Sequence, residues 1–251
     1  MLNKAPTFSI VTCTWNSAAT LADTLASTRA QSCQDIEHIF VDAGSTDATL
    51  DMIAAYPGAK LLLRDVRGGI SRAMNRGVEA ASGEFVAHLH SDDYYANAGV
   101  LAGVALDLAA SRRDWLFGAV EVLKDGALIP PFPVRQFSYF ALASGAAFIA
   151  HPAVFVRRSL FAQAGMFDEQ LKFAMDIDLW LRLAALSPPA ALDRTLAVFR
   201  DHAGSVSSAN RIRARQEEFC VRRRHMGKSP LAFAIYCLRY AKRMRALRRM
   251  A

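Results

Sequence analysis

Two adjacent carboxylates, Asp92 and Asp93, end the apolar run FVAHLHSDD over Phe85–Asp93 and pose the first chemical question of this chain. Unpaired neighbouring carboxylates repel each other, and oxygen ligands suit Mg²⁺ or Mn²⁺, which also bridge phosphate oxygens and neutralise their charge. The same Ser-Asp-Asp equally suits a polar turn opening the next helix, because Asp and Ser favour turns and N-caps. Two more polar clusters follow apolar runs in this way: Thr14 to Asn16 after FSIVT, and Asp42 to Asp47 after the run from Ile36 to Val41. A carboxylate such as Asp42 can accept hydrogen bonds from a nucleobase or a ribose hydroxyl, with Gly44 allowing a tight turn beside it. Taken singly, Asp42 reads more simply as a turn or cap residue.

The elements that must carry these groups alternate. Phe8 to Thr12 reads as a strand and Leu21 to Ala30 as a helix; Ile36 to Val41 and Ala48 to Ala55 repeat the pair. Lys60 to Arg64 is a third strand, after which Gly68-Gly69 opens a helix running through Glu79, and Phe85 starts the central strand. This order predicts an α/β fold with a mostly parallel sheet covered by helices on both faces, and its ligand at the carboxyl ends of the strands. On the central strand, Phe85, Ala87 and Leu89 face one layer and Val86, His88 and His90 the other. Beyond Asp93 the pattern predicts a helix over 98–111, strands around 115–123 and 146–155, and a hairpin turn at Lys124-Asp125-Gly126. Short helices over 159–164 and 176–185 and a last strand over 192–200 complete the body.

A chain of 251 residues can bury a large core, and no apolar run approaches the roughly 20 residues that span a bilayer. With no apolar signal segment read at its N-terminus, the chain is expected in the cytoplasm. Cys13, Cys33, Cys220 and Cys237 lack metal or redox spacing and read as free thiols. The net charge of +7 is uneven: from Arg211 on, 13 Lys or Arg stand against Glu217 and Glu218, so +11 there leaves −4 for the first 210 residues. Neither GxGxxG nor GxxxxGK[ST] is present, which weighs against a dinucleotide oxidoreductase and a P-loop nucleotidase.

Together, SIVTCTWN, FVDAGSTDAT, GGISRAMNRGVEAASGEFVAHLHSDD and GMFDEQLKFAMDIDLWLRL, in that order over about residues 7 to 205, resemble the inverting glycosyltransferases of family 2, which have the GT-A fold. The likeness is to members that build bacterial surface polysaccharides. It implies a GT-A domain over 1–205, with a nucleotide-sugar half over 1–95 and an acceptor half over 96–205; the charge and spacing beyond it read as a basic amphipathic helical tail over 206–251. It implies a UDP- or GDP-linked sugar donor, a polysaccharide or lipid-linked glycan acceptor, and Mn²⁺ or Mg²⁺ as cofactor. By the same resemblance Asp42 contacts the nucleoside with Thr14 and Asn16, Asp65 adds a polar contact to the base, Asp92 reaches the ribose, Asp93 holds the metal, and Asp176 is the catalytic base.

The family writes Glu-Asp where this chain has Met175-Asp176, so the base is retained and a neighbouring acid is lost. That loss is the one feature pointing to the alternative, a catalytically silent GT-A module that binds a nucleotide or a partner. His202 reads as a surface-loop histidine or as a further metal or phosphate contact; His151 reads as a packed histidine or, by resemblance, as an acceptor contact. In the tail, Tyr236, Cys237, Tyr240, Met244 and Leu247 share a helical stripe flanked by Arg and Lys. Such a helix suits an anionic membrane surface at the inner face of the cell membrane, its own domain, or a second copy in a homodimer. No nucleic-acid recognition motif accompanies it.

Overall fold

The computed structural model describes residues 5–131, 133–201 and 210–250. Among them, β1 (Phe8–Thr14) is buried along its whole length, because strands flank it on both edges and helices cover both faces. It pairs in parallel with β2 (Ile36–Asp42) and β4 (Phe85–His88), and β2 pairs in parallel with β3 (Lys60–Leu63). This is the half that the strand–helix alternation predicts. The helices α1 (Leu21–Arg29), α2 (Thr49–Ala55) and α3 (Ile70–Ala80) supply its crossovers. Gly77 on α3 is obligatory in this packing, since a Cβ there would come 2.3 Å from Val11 Cγ1. The close approach lets Met74 and Val78 bury against β1, at about 1.5–3 kcal/mol for each large side chain.

The second half of the sheet is mixed. β8 (Val154–Arg157) runs antiparallel to β4 and to β6 (Trp115–Lys124), while β6 pairs in parallel with β9 (Ala190–Asp201). β6 turns through Asp125 and Gly126, both at positive φ (49° and 79°), into β7 (Ala127–Ile129), which is the expected hairpin. The strand expected over 146–155 begins only at Val154. Gly145 takes a positive φ of 66°, and His151–Ala153 forms a 3₁₀ turn around Pro152, whose missing N–H cannot join a ladder. A two-residue strand that the sequence did not disclose, β5 (Tyr94–Tyr95), pairs antiparallel with β9 and ties the acidic loop to the far edge of the sheet.

The core lies in two main layers. Phe85, Ala87 and Leu89 face α4 (Val100–Ser111) with Phe8 and Ile10; Val86 faces the opposite layer, with α6 (Arg158–Ala164) and α7 (Met175–Leu186). Trp115 locks α7 to the sheet, stacking on Trp180 at 6.0 Å between centroids and donating Nε1–H to Ser187 O at 2.7 Å.

The basic tail forms α8 (Arg211–Arg224) and α9 (Pro230–Met250), which pack on α7 and α5 (Tyr139–Ala143). Its aromatic stripe turns inward: Tyr236 and Met244 are buried, and Arg222 lies 4.5 Å from the Tyr236 ring centroid. Leu231 and Leu238 point outward.

Candidate functional site

The carboxyl ends of β1 and β2 lie side by side, Thr14 opposite Asp42, and the loops that follow are bound to each other. Asp42 is 1% exposed, and its oxygens accept from Thr14 Oγ1 at 2.8 Å, Ser45 Oγ at 2.5 Å, Gly44 N–H at 2.9 Å and Ser45 N–H at 2.8 Å. Burial would raise its carboxyl, but the donors on Ser45, Thr14 and Gly44 outweigh that and hold it below the usual range. Asp42 therefore organises the loop as a charged acceptor. Asn16, at φ 50°, joins the same knot: its N–H donates to Ser45 Oγ and its Oδ1 accepts from Thr46 N–H, both at 2.8 Å.

Beside this knot opens a cavity of about 540 Å³, whose lining includes Trp15, Ala43, Gly44, Arg67, Gly69 and Ile70. That volume suits a nucleoside-sized ligand. Trp15 is 68% exposed and offers a flat apolar wall. Gly44 has φ +96°, and a Cβ there would lie 3.1 Å from Arg67 Nη2 and 3.3 Å from Asp65 Oδ1, so both side chains lie over it. Asp65 itself stands at φ 58°. Trp15 and Arg67 were not singled out from the sequence; the exposed Trp in TWNS and the basic residue before Gly68-Gly69 were the available signals.

At the end of the central strand the two acids part company. Asp93 is 1% exposed and turns inward, its Oδ1 accepting the N–H of Arg200 at 3.2 Å, while Asp92 is partly exposed. Arg200, at the end of β9, also donates through Nε to Asp92 O and pairs with Asp23. Burial and the neighbouring Asp92 charge push the Asp93 carboxyl well up, against the pull of Arg200. A cation would relieve that cost. Among the described residues no group of three or more His, Cys, Asp or Glu is arranged to hold a metal alone. The acidic pair therefore fits Mg²⁺ or Mn²⁺ in the mode in which phosphates and water complete the shell. His202 lies outside the described residues.

His88, His90 and His151 form a cluster, with ring centroids 5.3 Å apart for His88–His151 and 5.2 Å for His90–His151, walled by Phe161, Phe167 and Trp180. His151 stacks on Phe167. Burial, then the two other histidines, hold His151 well below the ordinary imidazole range, so it stays neutral.

Asp176 is the second residue of α7. Its Oδ1 accepts Ile177 N–H at 2.7 Å, and burial lifts its carboxyl to about 6, helped by Glu218 and opposed by the Ile177 bond and Arg222. The segment before it is fastened to α3. Asn75 of α3 exchanges hydrogen bonds with Phe167, Nδ2 to the carbonyl at 3.0 Å and N–H to Oδ1 at 2.9 Å, and Ser71 reaches Leu171 O at 3.1 Å. α3 thus has the cavity at its N-terminus and the approach to Asp176 on its flank. Met175 is 7% exposed within the apolar core, so an acid at that position would be desolvated.

Residues 9–126 match the family model described as Glycosyl transferase family 2. A PGL/p-HBAD biosynthesis glycosyltransferase of Mycobacterium bovis is 34% identical over 209 residues, covering 77% of this chain and 75% of its own. An uncharacterised glycosyltransferase of Rickettsia prowazekii is 26% identical over 212 residues, covering 81% of this chain and 67% of its own. Among solved structures, S. aureus TarS 1–349 in complex with UDP-GlcNAc superposes with a TM-score of 0.71 at 20% identity, covering 85% of this chain and 65% of that one. The mannosyltransferase PcManGT of Pyrobaculum calidifontis, in complex with GDP-Man and Mn²⁺, gives 0.67 at 20% identity over 94% of this chain and 74% of its own. At these identities the solved structures speak for the fold.

Proposed function

Because this chain belongs to glycosyltransferase family 2 and has the GT-A fold, we propose that it transfers a sugar from a UDP- or GDP-linked donor to a hydroxyl of a polysaccharide or lipid-linked glycan, with inversion and with Mn²⁺ or Mg²⁺. The observation that carries this reading is the Trp15–Arg67 cavity at the carboxyl ends of β1 and β2, with the acidic pair following the parallel neighbour β4 and with α3, which lines the cavity at its start, holding the segment that leads to Asp176. The base enters the cavity against Trp15, with Asp42 and Asn16 holding the loops in shape. Asp92 and Asp93 would hold Mn²⁺ or Mg²⁺, which when bound would supply charge neutralisation for the diphosphate.

Asp176 takes the proton of the acceptor hydroxyl as that oxygen bonds to the anomeric carbon. The bond from that carbon to the diphosphate oxygen breaks, and the nucleoside diphosphate leaves from the opposite face. Thr14 supports the donor site through Asp42, and Asp65 lies at its rim. His151, a neutral ring packed against Phe167, is assigned to the acceptor side by the resemblance.

Calorimetric titration of UDP and GDP, each with and without Mn²⁺, tests the reading. One nucleotide is expected to bind at least tenfold more tightly with the metal, which also identifies the base. Failure of both nucleotides under all conditions would remove the donor site and leave the silent module.

No helix among the described residues is long and apolar enough to cross a membrane. We place the enzyme against the inner membrane surface through the outer face of α9, where Leu231 and Leu238 precede Lys242, Arg245 and Arg249. Each cation near an anionic surface contributes about 1 kcal/mol. Reversing Arg245 and Arg249 to Glu together is therefore expected to weaken binding to phosphatidylglycerol vesicles by roughly tenfold or more, measured by co-sedimentation. Equal sedimentation of both forms would refute the placement.

A further inference from the structure

We infer that Glu217, on α8 in the basic tail, is a positioning residue for Asp176, and that α8 is a working part of the base-bearing centre. The inference rests on reading Asp176 as the base. The Glu217 carboxylate accepts three consecutive backbone N–H groups: Lys172 at 3.0 and 3.1 Å to its two oxygens, Phe173 at 2.6 Å and Ala174 at 2.8 Å. Ala174 is the residue immediately before α7, and Asp176 is two residues on.

A helix start and the turn leading into it present unpaired N–H groups and partial positive charge, and Glu217 meets the N-cap N–H of Ala174 together with the two N–H groups that precede it. α7 has no cap of its own, since Ala174 carries no side-chain acceptor. The anion comes instead from another helix, 43 residues further along the chain. Charge-assisted hydrogen bonds of this kind are the stronger ones, and three on one carboxylate fix both the turn and its direction.

The end of α8 and the residue after it make two more contacts with this region. Arg224 pairs with Asp168 at 2.8 Å, and His225 Nε2 meets Asp178 Oδ1 at 3.1 Å. Glu218, the neighbour of Glu217, faces Asp176 and is held by Arg215 and Arg222. Arg222 in turn donates to the carbonyls of Leu142 and Ala143. Of the titratable and charged groups packed about this turn, Glu218 and Arg222 of α8 act on Asp176 directly, Glu217 meets the backbone before it, and Asp178 is answered by Arg182 and by the His225 ring just past α8. Position 175 is committed to the core as Met, so the carboxylate that meets the N–H groups of residues 172–174 comes from α8.

The test uses the full chain, with Glu217→Ala and the isosteric Glu217→Gln. Amide exchange at Lys172, Phe173 and Ala174 and the ¹³C titration of the Asp176 carboxyl are followed by NMR, and UDP and GDP binding by calorimetry. Glu217→Ala is expected to lower amide protection roughly tenfold or more and to move the Asp176 midpoint from about 6 toward the ordinary carboxylate range as water enters the turn. Nucleotide binding should stay within about twofold of wild type, because the donor cavity is built by other elements. Glu217→Gln, keeping one acceptor oxygen, should recover part of the protection. An unchanged Asp176 midpoint in both variants would overturn the inference, whatever the exchange at residues 172–174 shows. A wild type that binds neither nucleotide would defeat the donor-site reading, while the Asp176 titration would still judge Glu217.

Discussion

Replacing Asp176 with Asn is expected to lower sugar transfer by about 10²–10⁴-fold while leaving nucleotide binding within about twofold of wild type. Asn keeps the shape of the side chain and can still accept Ile177 N–H through its amide oxygen, so the N-terminal turn of α7 should survive. What it removes is the basic oxygen. The pH dependence provides an independent check. Burial lifts the Asp176 carboxyl to about 6, and only the ionised form accepts a proton. Transfer should therefore rise with pH through about 6 and level off above it, and the variant should lose that limb. Release of UDP or GDP from sugar donors, followed from pH 5 to 8, measures both effects. An Asn variant with wild-type turnover would remove Asp176 from the mechanism.

The second large effect concerns the acidic pair. Asp92→Asn is expected to reduce Mn²⁺-dependent nucleotide binding by roughly 10–100-fold or more with little change in stability, because Asp92 is the partly exposed member. Asp93→Ala is expected to lose the metal dependence as well and to destabilise the fold, since it removes a 1% exposed side chain together with its bond to the N–H of Arg200. Calorimetry with and without Mn²⁺ reads the first effect, and urea unfolding the second. If both variants keep a wild-type metal response, the pair is a structural turn around Arg200. The two outcomes are separable because one carboxylate meets solvent and the other meets backbone.

Local pattern determined much of this protein. The alternation of apolar runs with amphipathic helices set the parallel half of the sheet, because period and turn chemistry act over a few residues and need no distant partner. Asp42, Asp92, Asp93 and Thr14 could be located from sequence for the same reason: each stands where an apolar strand stops. The hairpin at Asp125-Gly126 was equally local, being written in two residues that tolerate positive φ. The motif order, read as a resemblance, brought in the family, which the comparisons support, and with it the expected role of Asp176.

Tertiary structure decided which way the side chains turn and who answers them. Asp42 spends its oxygens on Thr14, Gly44 and Ser45, Asp93 answers a backbone N–H 107 positions away, and Met175 replaces an acid because that side of α7 faces the core. The tail shows the limit most clearly. Its aromatic stripe has the spacing of a membrane-facing helix, yet Tyr236 and Met244 are buried in the body, and the carboxylate of Glu217 closes the start of α7. Helical periodicity marks an apolar face but does not name what will cover it. That choice depends on contacts between segments far apart in sequence, which form only once the whole chain has packed.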